Sequence, residues 1–227
     1  MKVFLDIGAH VGETLSVVLD PRWQFDRIHC FEPAPACWAP LQQLADERVE
    51  LHRFGLWKET TALVLHNPGA IGASVAADKD PVQQSTECAF VDAGAWFAEH
   101  VDAADVVYAK VNVEGAEADI VDRLVETGEI AKIDHLVIHL DVVKSPSLRA
   151  REPLLRAQLA ASGVDVVPAD EIIFGGATRG ARNWLRWLDS TSPLRDLRYK
   201  TLQQRWERLR FLLYPAKQWL VARARTR

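Results

Sequence analysis

The sequence predicts an α/β protein built on a largely parallel, doubly wound (Rossmann-like) sheet with helices on both faces. Three observations carry this. Short apolar runs alternate with segments of helical apolar spacing, the first run opens into a glycine-containing turn, and the last two strand candidates stand too close together for a crossover helix.

Lys2–Ile7 is the first short apolar run, and Glu13–Asp20 then has the spacing of a helix closed by Pro21. Arg27–Phe31 follows as a strand, with a helix over Ala36–Asp46 and a third strand over Val49–Phe54. Between Leu56 and Phe90, Gly, Asn, Pro and Ser interrupt short apolar runs such as Ala62–Leu65 and Gly72–Val75, so loop with short strands is expected. Val106–Val111 leads into a helix over Ala116–Val125, and Ile133–Leu140 into one over Leu148–Ser162. Val164–Val167 and Glu171–Phe174 are separated by three residues, which predicts an antiparallel final pair.

The 227 residues, 48% hydrophobic and 26% charged, are enough for a full core and exclude a disordered or collagenous chain. Cys30, Cys37 and Cys88 have neither Cys-x-x-Cys nor Cys/His spacing, and no His/Asp/Glu set reads as a ligand cluster, so no disulfide framework and no metal are expected. No run reaches the ~18–20 apolar residues of a membrane span, and Met1-Lys2 opens a strand-like run instead of a signal peptide. A cytoplasmic protein is expected.

The net charge of −4 conceals an asymmetry: residues 180–227 hold 12 Lys/Arg against 3 Asp/Glu, leaving 15 against 28 in residues 1–179. The expected division is therefore a domain over 1–179 and a basic, Trp-rich helical extension over 180–227, with a stripe of Leu202, Trp206, Leu209 and Leu213. Two readings of the extension stay open. It packs over the acidic domain as a lid or homodimer arm, or it lies on a membrane surface bearing a lipid-linked or glycan substrate. Nucleic acid is not an expected partner.

The chemistry-bearing residues cluster at strand ends. In Asp6-Ile-Gly8-Ala9-His10-Val-Gly12, an acid ends the first strand and glycines let the backbone approach a ligand, while the following helix start offers N–H groups to an anion. The Gly-x-Gly-x-x-Gly and Walker patterns are absent, which removes support for a nicotinamide, flavin or P-loop enzyme. Glu32, ending the second strand, stands where an acid accepts hydrogen bonds from ribose hydroxyls. Together these suggest an adenosine-type cofactor.

On Phe4-Leu-Asp-Ile-Gly-Ala-His-Val-Gly-Glu-Thr14, Phe31-Glu-Pro33 and Lys110-Val-Asn-Val-Glu-Gly-Ala-Glu117, over roughly residues 3–175, the chain resembles the FkbM-type S-adenosylmethionine-dependent methyltransferases. The resemblance implies a seven-stranded methyltransferase sheet with its last strand antiparallel, and S-adenosyl-L-methionine as cofactor with no metal requirement. It implies that Asp6, Gly8, Ala9 and Gly12 shape the methionine end of the cofactor pocket, with Thr14 at the helix start and His10 in the same cofactor turn, and that Glu32, with Pro33 beside it, holds the ribose hydroxyls. The chain departs from the family's pattern at His10, commonly Asn, and at Asn112, commonly Asp.

Methyl transfer needs an aligned nucleophile and a proton acceptor. The carboxyl ends of the strands select Lys110, Asn112 and Glu114 after the fourth strand and His139 and Asp141 after the fifth. His139 is the leading base candidate, with His10 the competing imidazole. Glu114 is read as binding the acceptor or capping a helix, and Lys110 as a site residue or as a partner of Glu114 or Glu117. The expected activity is O-methylation of a small molecule, by resemblance a sugar, glycan or secondary metabolite. A non-catalytic cofactor-binding module and a peptide-directed methyltransferase are the alternatives.

Overall fold

The computed structural model describes residues 1–169 and 176–190. Among the described residues, nine strands and six α-helices follow one another as β1 (Lys2–Ile7), α1 (Leu15–Val18), β2 (Arg27–Phe31), α2 (Pro35–Leu44), β3 (Val49–His52), β4 (Gly55–Trp57), β5 (Thr61–His66), β6 (Ser85–Asp92), α3 (Ala93–His100), β7 (Val106–Val111), α4 (Glu117–Thr127), β8 (His135–Ile138), α5 (Glu152–Ala161), β9 (Asp165–Pro168) and α6 (Ala177–Leu188).

Six strands form one sheet in the order β3-β2-β1-β7-β8-β9, every neighbouring pair parallel. The strand order reverses between β1 and β7, and in such sheets the crevice beyond that reversal is where ligands bind. A second sheet, β4-β6-β5, occupies the stretch expected to be loop with short strands: β5 pairs antiparallel and β4 parallel with β6. Gly72–Val75 contributes to it only an isolated bridge between His66 and Ser74.

Alternation along β1 divides the core. Val3, Leu5 and Ile7 face one layer with Phe97 of α3, Ile120 and Leu124 of α4 and Leu155 of α5, whereas Phe4 faces Leu15, Val18 and Trp184 on the other. Helix α3 adds to the helices expected; the Asp92 side chain caps it by accepting from the Ala95 N–H at 2.9 Å. Helix α1 is one turn instead of the expected Glu13–Asp20, because Gly12 (φ +96°) delays its start and Asp20 caps a 3-10 turn at Pro21–Trp23.

All six strands of the main sheet are parallel, β9 included; the expected antiparallel strand over Glu171–Phe174, and with it a seventh strand, lies outside the described residues. The boundary drawn at 179/180 falls inside α6, whose Trp184 is 0% exposed and sets its ring 6.2 Å from those of both Phe4 and Tyr108. The first domain's core therefore continues to Leu188. The Leu202–Leu213 stripe lies outside the described residues. No helix among the described residues is long and apolar enough to cross a membrane.

Candidate active site

A cavity of about 650 Å³ opens at the carboxyl ends of β1, β2, β7 and β8. At the end of β1 the turn is fixed from below: the Gly8 and Ala9 N–H groups both donate to the Phe31 carbonyl at 3.0 Å. Gly8 (φ +84°) lies so close to the Asn112 backbone carbonyl that a Cβ would collide with it. Glycine is needed there to bring the two strand ends together.

Glu32 lines the cavity with 7% exposure, its two oxygens accepting the backbone N–H groups of His10 and Ala34 at 2.8 Å each. Burial pushes its carboxyl above the usual range, and those two N–H bonds oppose the shift. An ionised carboxylate has about four lone-pair directions, so two remain for a ligand's hydroxyls.

His10 is not placed to act as a base. Its Nδ1 meets the Glu13 carboxylate at 3.0 Å and its Nε2 the Gly69 carbonyl at 3.2 Å. Burial alone would lower its pKa, but these two acceptors hold it above the usual histidine value, and a ring facing two acceptors satisfies both only as imidazolium. It clips the glycine turn to the 67–75 loop, whose Gly69, Ile71 and Gly72 form the cavity's rim.

Thr14 and Pro33 line the cavity; Ala9 and Gly12 do not. Ala9 is a core residue, and a Cβ on Gly12 would come within 2.6 Å of Leu44 on α2, so this glycine admits helix packing. Of the N–H groups at the first helix start, where an anion site is expected, two are already committed. The helix is one turn, and the Ser16 and Val17 N–H groups already donate to the Gly12 and Thr14 carbonyls.

Lys110 pairs with neither Glu114 nor Glu117. Its Nζ donates to Asp6 Oδ1 at 2.9 Å and to the Gly8 carbonyl at 2.6 Å. Asp6 is 0% exposed, and burial raises its pKa while Lys110 pulls it back. Lys110 is thus a strut beneath the glycine turn.

At the end of β7, Asn112 lines the cavity, and its side-chain oxygen is buried with no hydrogen-bond partner among the described residues. Glu114 sits at φ +55°, its carboxylate 2.5 Å from Lys79 Nζ and 3.3 Å from Lys144 Nζ. Burial works against its ionisation, yet the two lysines hold it below the usual range. Instead of standing free for an acceptor, Glu114 latches the 67–84 loop onto the site. Glu117, fully buried, accepts from the Gly115 N–H at 2.7 Å and the Val142 N–H at 2.5 Å, fixing the two strand-end turns to each other.

At the end of β8, His139 and Asp141 line the same cavity. Lys144 binds Asp141 Oδ1 at 2.9 Å, while Oδ2 is buried with no hydrogen-bond partner among the described residues. Burial, then the neighbouring Glu114 charge, pushes Asp141 up to about 6. A carboxyl at that value takes up and gives back a proton near neutrality.

The strand ends thus bring Gly8, His10, Thr14, Glu32, Pro33, Lys110, Asn112, Glu114 and His139 to one cavity, and leave Ala9, Gly12 and the Asp6 carboxylate behind its wall. Lys79 and Lys144 were not evident from sequence. Asp78-Lys79-Asp80 reads as a solvated loop, and nothing in the spacing indicates a partner 35 residues away.

No protein-family model matches the chain, and no curated protein matches it. Among solved structures, a methyltransferase FkbM from Methylobacillus flagellatus KT is similar, with 18% identity and a TM-score of 0.45 over 72% of this chain. This chain spans 37% of that protein's length.

Proposed function

We propose that this chain is an S-adenosylmethionine-dependent methyltransferase directed at a hydroxyl of a small molecule. The observation that carries the reading is that one cavity holds both a glycine turn beside a buried strand-end acid, Gly8 and Glu32, and a titratable pair at the neighbouring strand ends, His139 and Asp141. Neither half alone separates a methyltransferase from a binding module. Joined in one cavity, they supply a cofactor end and a proton-accepting end.

The residues present fit the cofactor. Glu32 offers its remaining lone pairs to ribose hydroxyls, and Thr14 and the Asn112 side-chain oxygen, which has no hydrogen-bond partner among the described residues, line the wall near the glycine turn. When bound, S-adenosylmethionine supplies an electrophilic methyl group on a sulfonium. The chain's own contribution is to hold the acceptor in line, to exclude water with Val113 and the 67–75 rim, and to take the hydroxyl proton at His139 or Asp141. The FkbM-like motifs suggest a sugar, glycan or secondary metabolite as acceptor.

Calorimetric titration with S-adenosylmethionine, S-adenosylhomocysteine and NAD tests the reading. Binding of the first two and not the third is expected, with Glu32→Ala weakening both by more than about tenfold through loss of charge-assisted hydrogen bonds. Failure of both sulfur compounds to bind overturns the proposal. Binding without transfer to any acceptor, unchanged in Asn112→Asp, supports the non-catalytic alternative.

A further inference from the structure

A second cluster of ligating side chains lies on the main sheet, away from the cavity. Parallel pairing of β2 with β3 sets His29 opposite Glu50 and Phe31 opposite His52. Because side chains alternate along a strand, His29, Glu50 and His52 share one face, which Trp96 and His100 of α3 flank. His29 Nδ1 and His52 Nε2 point at each other, 2.9 Å apart. The Glu50 carboxylate stands beside both, with Oε2 3.6 Å from the first nitrogen and Oε1 3.9 Å from the second.

We propose that His29, Glu50 and His52 form a binding site for a divalent transition-metal ion, Zn²⁺ by preference. A zinc ion with bonds of about 2.0–2.1 Å in tetrahedral array needs its ligand atoms about 3.3 Å apart, a value that lies between the 2.9 Å separating the two ring nitrogens and the 3.6 Å from His29 Nδ1 to Glu50 Oε2. The ligand set is also right in kind: two imidazoles and a carboxylate suit zinc, whereas magnesium and calcium favour sites built of oxygen alone. Both rings are buried and held by stacking, His52 on Phe31 with centroids 4.6 Å apart, so little ordering remains to be done on binding. The Glu50 side chain is 56% exposed, which gives the ion a path in and leaves a fourth position for water.

The site touches the cavity wall through the backbone. The His52 carbonyl accepts the Glu32 N–H at 3.1 Å, and Phe31 stacks on His52 while lining the cavity. A bound ion would therefore pin the strand edge that carries Glu32. The proposal stands on the His-Glu-His geometry alone and is independent of the cavity's function.

The full chain, stripped with chelator, is titrated with Zn²⁺ by calorimetry, and separately loaded with Co²⁺ for visible spectroscopy. One Zn²⁺ per chain and the intense bands of four-coordinate Co²⁺ are expected. Glu50→Ala changes an exposed residue, and it is expected to weaken Zn²⁺ by more than about tenfold, the least that losing even an outer-shell partner costs. His52→Ala, checked for folding by circular dichroism, is expected to weaken it further. No Zn²⁺ binding by the wild-type chain, a six-coordinate Co²⁺ spectrum, or Zn²⁺ affinity unchanged in Glu50→Ala overturns the proposal.

Discussion

Replacing Lys110 by methionine tests the most consequential reassignment in the site. Lys110 compensates Asp6, which is 0% exposed, and ties the pair to the glycine turn through the Gly8 carbonyl at 2.6 Å. Breaking a buried pair by removing one partner costs roughly 3–5 kcal/mol, because the other charge is left unpaired. Against a total of about 5–15 kcal/mol for a domain, this is a fifth or more of the stability, and at a urea slope of about 2.5–3 kcal/mol/M it lowers the midpoint by about 1–2 M. Without the lysine, burial raises Asp6 further above its unfolded value. A carboxyl raised in this way contributes stability below its unfolded pKa and loses it as pH rises through the folded one, so the deficit of Lys110→Met should shrink toward acid pH. Urea denaturation at pH 5 and pH 8 measures both effects, and the double variant Asp6→Asn/Lys110→Met should recover most of the loss at pH 8. A single variant as stable as wild type at pH 8, or a double variant no better than the single, refutes the strut.

On the proposed function, Asp141→Asn should remove an activity limb: a base raised to about 6 must be ionised to accept a proton, so methyl transfer by the wild-type chain is expected to rise with pH through about 6, and a steady-state pH profile shows whether that rise disappears. Glu117→Gln leaves one acceptor oxygen for two backbone donors, which costs about 1–3 kcal/mol in thermal or urea unfolding. Trp184→Ala should cost about 3–5 kcal/mol by emptying the space between Phe4 and Tyr108, and a chain ending at Arg179 should be insoluble where one ending at Ser190 is not. Gly8→Ala should destabilise the turn and abolish cofactor binding, read by calorimetry, because its Cβ meets the Asn112 carbonyl at a positive φ.

The strand ends were legible because alternating strands and helices dictate a parallel sheet, and a parallel sheet gathers its carboxyl ends. That is why Gly8, Glu32, Asn112, Glu114 and His139 meet in one cavity although 131 residues separate the first from the last. What each side chain does there was less legible. Gly8 and Gly12 look alike in sequence, and only the approach of Asn112 to one and Leu44 to the other separates a strand contact from helix packing. Lys110 reads as a catalytic cation until the β1–β7 register places it opposite Asp6. Composition alone puts Trp184 in the basic extension, yet its 0% exposure makes it core. His29 and His52 are 23 residues apart, and no local spacing reveals ligands that parallel register alone brings face to face.

The charges around the cavity are mostly spent on one another: Asp6 on Lys110, His10 on Glu13, Glu114 on Lys79 and Lys144. Lys110 and Asp6 tie two neighbouring strands, the lysines on Glu114 hold loop segments to the site, and the His10 ring held by Glu13 reaches the Gly69 carbonyl, so these groups define the cavity's shape more than its chemistry. Recognition then falls to groups with capacity left over. Glu32 has two lone-pair directions beyond its backbone bonds, and Asn112 and Asp141 each keep a buried oxygen with no hydrogen-bond partner among the described residues. A buried acceptor without a donor costs stability, and the cost is recovered when a ligand supplies the donor. Hydroxyl groups are such donors, which supports the proposed reading of a ribose at one end and a hydroxylated acceptor at the other.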